Sequence, residues 1–126
     1  MTLPAGYVDL QVNGHGGVEF SSPELRVDDF RRAAATLLEE GTAVFLPTLI
    51  TAPPELYRRN AEVIRRAVEL EGWQKHIPGI HLEGPFLSPA PGAIGLKNLS
   101  RSALPTTNIE LSPMAPAAII GLTSTP

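Results

Sequence analysis

The sequence contains no cysteine, which excludes a disulfide scaffold and any cysteine-ligated metal site. No apolar run approaches the roughly 20 residues that a membrane helix requires. The N-terminal residues also lack the charged and apolar regions of a signal peptide. With 10 basic and 13 acidic residues and a formal net charge of −3, the chain has no basic stripe of the kind that nucleic-acid binders present. We therefore expect a cytoplasmic protein that binds neither nucleic acid nor membrane.

Strand and helix patterns alternate along the first part of the chain. Residues 7–12 alternate apolar and polar side chains, which is typical of a strand, whereas two later segments repeat apolar residues at helical spacing. The predicted elements are a strand over 7–12, a helix over 27–38, a strand from 42 that ends near Leu46, a helix capped near Thr51 that runs from Pro53 and Pro54 to Gly72, and a strand over 77–83. This β-α-β-α-β order predicts an α/β fold with a parallel sheet, either open or part of a barrel, with both helices packed on it.

The composition changes near Pro91. Residues 94–126 hold one acidic residue, Glu110, and two basic residues, Lys97 and Arg101. They are rich in serine, threonine and proline, and their apolar residues show no sustained period. We therefore expect two parts, an α/β unit over residues 1–93 and an irregular or disordered tail over residues 94–126.

Side chains that can bind a metal occur where the predicted strands end. In parallel α/β sheets, functional groups collect at the carboxyl ends of the strands. Alternation along the first strand places Asp9, Gln11 and Asn13 on one side, and alternation along the third strand does the same for His81 and Glu83. A carboxylate, two amides and an imidazole would then converge on one site, and this donor set suits Zn²⁺, Mn²⁺ or Fe²⁺.

Each of these residues also has a purely structural interpretation. A single carboxylate at a strand end is more often solvated or capping than a ligand. His81 can be a hydrogen-bonded structural histidine, while His15 and His76 are expected to be exposed. Gln11 and Asn13 can satisfy backbone groups instead of binding a ligand. The residues alone leave both interpretations open.

Three segments carry a resemblance to a known family. They are YVDLQVNGHGGVEF at residues 7–20, GTAVFLPTLIT at residues 41–51 and GIHLEGPFLSP at residues 79–89. In this order and spacing they resemble the N-acetylglucosamine-6-phosphate deacetylase family of the amidohydrolase superfamily. The resemblance covers residues 4–89, and HLEGPFLSP is its most specific motif.

The resemblance implies a metal-dependent (β/α)₈ barrel that hydrolyses the acetamide of N-acetylglucosamine 6-phosphate in amino-sugar catabolism. It implies that Glu83 is a metal ligand, with zinc as the first choice of metal and iron or manganese as alternatives. Gln11 and Asn13 stand where binuclear relatives have His-x-His, which implies a single-metal variant and places both residues at the site with His81. Ala93 is implied to bind substrate, and the full-length family member is expected to be a homo-oligomer.

The chain also departs from the family pattern. A complete barrel takes about 250 residues, whereas residues 1–93 supply three of its strands. The family's later metal-binding histidines and its catalytic aspartate lie beyond the matched region, and Ile94 stands where a substrate-binding histidine is expected. We therefore expect a deacetylase-like partial barrel that is inactive as this truncated chain. The alternatives are a small non-catalytic sugar-phosphate-binding or regulatory module, and a half-barrel that is completed by another chain.

The composition break coincides with the end of the resemblance, which suggests that the tail is read in a shifted frame or belongs to a truncated gene product. We predict that translation of the resequenced downstream DNA in the other two frames gives the family's histidines and aspartate. Finding none of them in any frame would contradict the frameshift interpretation.

Overall fold

A computed structural model describes residues 5–83 and 120–121 of the chain. Its elements are β1 (Tyr7–Val12), β2 (Gly14–His15), β3 (Val18–Glu19), α1 (Val27–Glu39), β4 (Thr42–Leu49), α2 (Pro54–Glu71), β5 (His81–Leu82) and β6 (Ile120–Gly121). The main sheet has the order β1-β4-β5-β6 and all of its neighbouring pairs are parallel. The predicted α/β fold with a parallel sheet is therefore confirmed. Among the described residues, neither helix has the length and apolar character needed to cross a membrane.

The two helices and one face of the sheet share a single hydrophobic core. Each helix buries one apolar stripe, because residues three or four positions apart lie on the same helical face. The aromatic rings of Phe20 and Phe30 meet in this core with their centroids 4.9 Å apart. The largest fully buried side chains include Phe20, Phe30, Phe45, Tyr57 and Ile64.

Both helices form close to their predicted bounds. In α1, Asp28 and Asp29 lie in the first turn, where acidic side chains favour the positive end of the helix dipole. In α2, Pro54 is the first helical residue, and Gly72 ends the helix in the left-handed conformation with a φ of 69°. The predicted cap by Thr51 or a neighbouring residue does not form, because Pro53 occupies the N-cap position and no side chain caps the helix.

Pro47 lies inside β4 rather than beyond its end. We expected the strand to end near Leu46, but it continues to Leu49 with Pro47 fully buried. Pro47 is the partner of Val12 in the β1 ladder. In a parallel ladder, only one member of a residue pair uses its own N–H and C=O. It bonds to the two residues on either side of the other member. Pro47 can therefore be paired with Val12 without an N–H of its own.

The third predicted strand is shorter than residues 77–83. Only His81 and Leu82 form β5, and they pair with Thr48 and Leu49. Before His81, the segment is joined to β4 by the bond from the Phe45 N–H to the His76 carbonyl at 2.9 Å. Pro47 and Pro78 lie between these contacts and have no N–H to donate.

The predicted tail, residues 94–126, lies outside the described residues except for β6. Ile120 and Gly121 pair in parallel with His81 and Leu82. At these two positions the chain is extended and paired rather than irregular.

The glycine-rich segment after β1 is a tight hairpin. β2 and β3 are antiparallel, and the turn between them is formed by Gly16 and Gly17, whose φ angles are 57° and 79°. Two successive positive φ angles favour glycine and match the twist of a two-residue hairpin. At Gly14, a Cβ atom would clash with the carbonyl oxygen of Val18, so the two strands approach too closely for any side chain there.

A buried asparagine on α2 anchors the segment that follows this hairpin. The Asn60 side-chain amide donates to the carbonyl oxygens of Phe20 and Ser22 at 2.9 and 2.8 Å. Its own oxygen accepts from Arg59, which also donates to the Leu25 carbonyl at 3.0 Å. Because Asn60 is only 1% exposed, water cannot replace these bonds, and the segment is fixed to the helix.

We predict that Asn60→Asp lowers the free energy of unfolding by about 1–3 kcal/mol, because the carboxylate keeps the shape but loses both donors to buried carbonyls. Urea denaturation followed by circular dichroism measures the change. Asn13→Asp, an identical substitution at an exposed position, is the matched control. An equal effect of the two substitutions would show that Asn60 does not anchor the segment.

Candidate functional site

The candidate site lies at the carboxyl ends of the parallel strands, on the sheet face opposite the helices. Leu49 and Leu82 belong to the core shared with the helices. Since successive strand residues point to opposite faces, Thr48, His81 and Glu83 lie on the other face. The expected placement of His81 and Glu83 on one side of the third strand agrees with this geometry.

The structure brings Gln11 and Glu83 into direct contact. The Gln11 side-chain nitrogen lies 3.0 Å from Oε2 of Glu83, although the two residues are 72 positions apart. Gln11 is exposed, and its backbone N–H donates to Oδ1 of Asp9 at 3.0 Å. An amide that donates to a carboxylate orients it without neutralising its charge.

The backbone of Glu83 is held by three further contacts. Its N–H donates to the Leu49 carbonyl at 2.9 Å, which extends the contact with β4 beyond the end of β5. Its carbonyl oxygen accepts from the hydroxyls of Thr51 at 3.2 Å and Tyr57 at 3.4 Å. Sequence reasoning did not find these two hydroxyls, because Thr51 had the pattern of a helix cap and Tyr57 lies within an amphipathic helix.

The phenol of Tyr57 is a buried donor at the edge of the core. Its side chain is 1% exposed and its oxygen accepts from the Ala52 N–H at 3.3 Å. Burial raises the pKa of the Tyr57 phenol, and the hydrogen bonds from Ala52 and with Thr51 offset part of that rise. The group therefore stays protonated and able to donate to the Glu83 carbonyl at neutral pH.

His81 is a buried, hydrogen-bonded residue. It is 5% exposed, and its Nδ1 lies 3.2 Å from Oγ1 of Thr48, its partner in the ladder. Thr48 also contacts the Leu46 carbonyl at 3.4 Å. The contact between Thr48 and His81 is the hydrogen bond that the structural interpretation of His81 requires.

The other residues named from the sequence make different contacts or lie outside the described residues. Asn13 is exposed, and its backbone carbonyl accepts from the Phe20 N–H at 2.9 Å. His15 and His76 are half-buried rather than exposed, so that expectation is wrong. Nε2 of His15 lies 3.2 Å from a Glu40 carboxylate oxygen, and Nδ1 of His76 lies 2.7 Å from the Ala43 carbonyl. Ala93 lies outside the described residues.

The described residues do not form a metal site by themselves. Over residues 5–83 and 120–121, no group of three or more His, Asp or Glu side chains is placed to hold a metal ion. Glu83 fits as one oxygen ligand, because its half-exposed carboxylate is oriented by an amide donor rather than neutralised by a basic side chain. The ring of His81 is engaged at Nδ1 by Thr48 and buried. If Glu83 binds a metal, the other ligands must come from outside the described residues.

A shallow cleft of about 480 Å³ opens beside Asn13, between the β2–β3 hairpin and Ile50. Ser21 closes one side of it, since its hydroxyl accepts from the Ile50 N–H at 2.9 Å. The described residues that line it include neither lysine nor arginine, the side chains that most often bind phosphate. A second cleft of about 340 Å³, which shares Gly17 and Val18 with the first, is lined by Arg26 and Arg32.

Over about two thirds of its length, the chain is similar to curated amino-sugar deacetylases. The N-acetylglucosamine-6-phosphate deacetylases of Haemophilus influenzae and Homo sapiens are 40% identical over 86 residues and 36% identical over 90 residues, and each match covers 68% of this chain. The N-acetylgalactosamine-6-phosphate deacetylase of Shewanella sp. is 39% identical over 90 residues, which is 71% of this chain. The chain spans only 21–22% of the length of these relatives. No family model matches it.

Solved structures show the same relationship. The N-acetylglucosamine-6-phosphate deacetylase of Pasteurella multocida matches 69% of this chain with a TM-score of 0.57 and 39% identity, and 22% of that enzyme is covered. A variant of the Mycobacterium smegmatis enzyme in complex with N-acetyl-D-glucosamine-6-phosphate matches 70% of this chain with a TM-score of 0.54 and 36% identity, again over 22% of that chain. The α/β unit described above is therefore similar to part of these deacetylases.

We predict that Thr48→Val lowers the free energy of unfolding by about 1–3 kcal/mol, since it removes the partner of a buried histidine nitrogen while conserving shape. Urea denaturation at pH 7 measures the change. Thr42→Val, at the half-buried start of the same strand, is the matched control. A Thr48→Val variant as stable as the parent chain would contradict the structural role of the Thr48–His81 pair.

Proposed function

We propose that residues 4–89 are the first part of an N-acetylglucosamine-6-phosphate deacetylase barrel in which Glu83 binds the catalytic metal. The observation that carries the proposal is the position of Glu83. Its carboxylate lies at the carboxyl end of β5, on the face away from the helices, and Gln11 from β1 donates to it at 3.0 Å. The carboxyl ends of the strands are where barrel enzymes place their catalytic groups. The similarity to deacetylases over two thirds of the chain supports the same conclusion.

The open edge of β1 supports the partial barrel over residues 1–93. Within the described residues β1 pairs only with β4. Its side chains Tyr7, Val8 and Leu10 are 77%, 58% and 63% exposed, which is unusual for apolar strand residues. In a closed barrel, a further strand would pair with this edge, and further parts of the barrel would cover these side chains. In the proposal, residues 94–126 lie outside this unit, apart from Ile120 and Gly121, which pair with β5.

The chain's own residues would supply one metal ligand and orient it. Glu83 would supply a carboxylate oxygen to the metal, and the Gln11 amide would keep that carboxylate turned toward the site. A bound divalent metal, with zinc as the first choice and iron or manganese as alternatives, lowers the pKa of bound water and polarises an amide carbonyl. The remaining ligands, the catalytic aspartate and the other substrate contacts would come from beyond residue 89. Ala93 is proposed as a substrate contact, and the complete enzyme as a cytoplasmic homo-oligomer.

A chimera tests this function directly. Residues 4–89 replace the corresponding segment of the Haemophilus influenzae deacetylase, and deacetylation of N-acetylglucosamine 6-phosphate is followed by release of acetate. We expect the chimera to be active and Glu83→Gln to lower its kcat/KM by roughly 100-fold or more, because a metal ligand is lost. N-acetylgalactosamine 6-phosphate serves as the comparison substrate.

Glu55→Gln removes an exposed carboxylate from the same segment and should leave the activity unchanged. A folded but inactive chimera, or equal activity of the Glu83→Gln variant and its parent, would contradict the proposal. The 126-residue chain alone should not turn over substrate with added Zn²⁺ or Fe²⁺. Saturable binding of the sugar phosphate to that chain without metal would favour the non-catalytic module instead.

A further inference from the structure

Glu83 is fixed in place although it lies beyond the last residue of β5. The strand ends at Leu82, so the regular ladder does not determine the conformation of the next residue. Its N–H is nevertheless bonded to the Leu49 carbonyl. A strand ladder would bond the carbonyl of this residue to a backbone N–H. Here two hydroxyl groups donate to it instead.

One hydroxyl comes from the segment just before α2 and the other from the first turns of α2. Thr51 lies in the connection between β4 and α2, and its Oγ1 donates to the Glu83 carbonyl at 3.2 Å. Tyr57 reaches the same oxygen from the buried face of α2, at 3.4 Å. The ring of Tyr57 is part of the core, so its hydroxyl has little freedom to move. The Ala52 N–H donates to the phenol oxygen at 3.3 Å and restrains it further.

These contacts determine where the carboxylate of Glu83 points. With both the N–H and the carbonyl of Glu83 bonded, its φ and ψ angles are restrained, and so is the direction of its Cα–Cβ bond. The side chain then has only its own rotamers to choose from, and the Gln11 amide selects the one that brings Oε2 to 3.0 Å. Loss of either hydroxyl would free the Glu83 carbonyl and widen the range of carboxylate positions.

We propose that Thr51 and Tyr57 are positioning residues, whose hydroxyls hold the Glu83 backbone so that its carboxylate faces Gln11 and the site. The positioning of a metal ligand rests on the function proposed above, but the contact itself does not. Positioning residues of this kind act through another residue, and their loss weakens a metal site even though they touch neither metal nor substrate.

The Gln11 side-chain amide is a direct probe of this arrangement. Its two N–H signals in a ¹H–¹⁵N spectrum of the 126-residue chain, recorded without metal, depend on the bond to Glu83. Glu83→Gln defines the signal positions in the absence of the carboxylate. We expect Tyr57→Phe and Thr51→Val each to shift the Gln11 signals toward those positions. Each should also raise the exchange rate of the Glu83 amide by about tenfold, as expected for the loss of one hydrogen bond.

Conservative variants separate positioning from general destabilisation. Thr51→Ser retains a hydroxyl and should keep the Gln11 signals at their original positions, while Thr51→Val shifts them. Tyr7→Phe removes an exposed phenol and should change neither readout. If Tyr57→Phe unfolds the chain, the Thr51→Val and Thr51→Ser pair decides the outcome alone.

The proposal is overturned if folded Thr51→Val and Tyr57→Phe variants keep the Gln11 signals at their original positions, or if Thr51→Ser shifts them as much as Thr51→Val. Failure of the proposed function gives a different result. In that case the Gln11 signals still respond to both hydroxyl variants, whereas Glu83→Gln leaves the chimera active.

Discussion

Parallel pairing with the buried strand β4 is the constraint on which the rest of the structure depends. β4 carries β1 on one edge and β5 on the other. Since parallel strands cannot be joined by tight turns, α1 and α2 must cross from one strand to the next, and their apolar faces cover the same side of the sheet. This topology places Gln11 and Glu83 on opposite sides of β4 but at the same end of the sheet, where their side chains meet.

Glu83 shows how several elements determine the position of one carboxylate. Its N–H is bonded to β4, its carbonyl accepts from hydroxyls at the start of α2, and its side chain contacts Gln11 on β1. A residue held in this way keeps its geometry before any ligand arrives, which is what a metal site requires of its ligands. The segment that follows the glycine hairpin is anchored separately, through Asn60 on α2.

The sequence predicted the helices, the first strand and the parallel sheet because these depend on local periodicity and on glycine and proline at the ends of elements. It also placed Glu83 at a strand end. The predicted end of β4 near Leu46 was wrong. A proline is excluded from a strand only where its own N–H is needed, and for Pro47 this depends on the pairing with Val12. The contacts of Thr51, Tyr57 and Asn60 join residues 26 to 40 positions apart, and no pattern along the chain encodes such contacts.

Pro47 has a further consequence for how the segment that ends at Glu83 is held. The β4–β5 ladder begins only after this residue and comprises two residue pairs, whereas β1 is paired with β4 along most of its length. The segment before Glu83 is therefore held mainly by its buried side chains, since Ile77, Ile80 and Leu82 belong to the core that both helices share. Because of this, the position of Glu83 depends on the packing of that core as well as on its own hydrogen bonds.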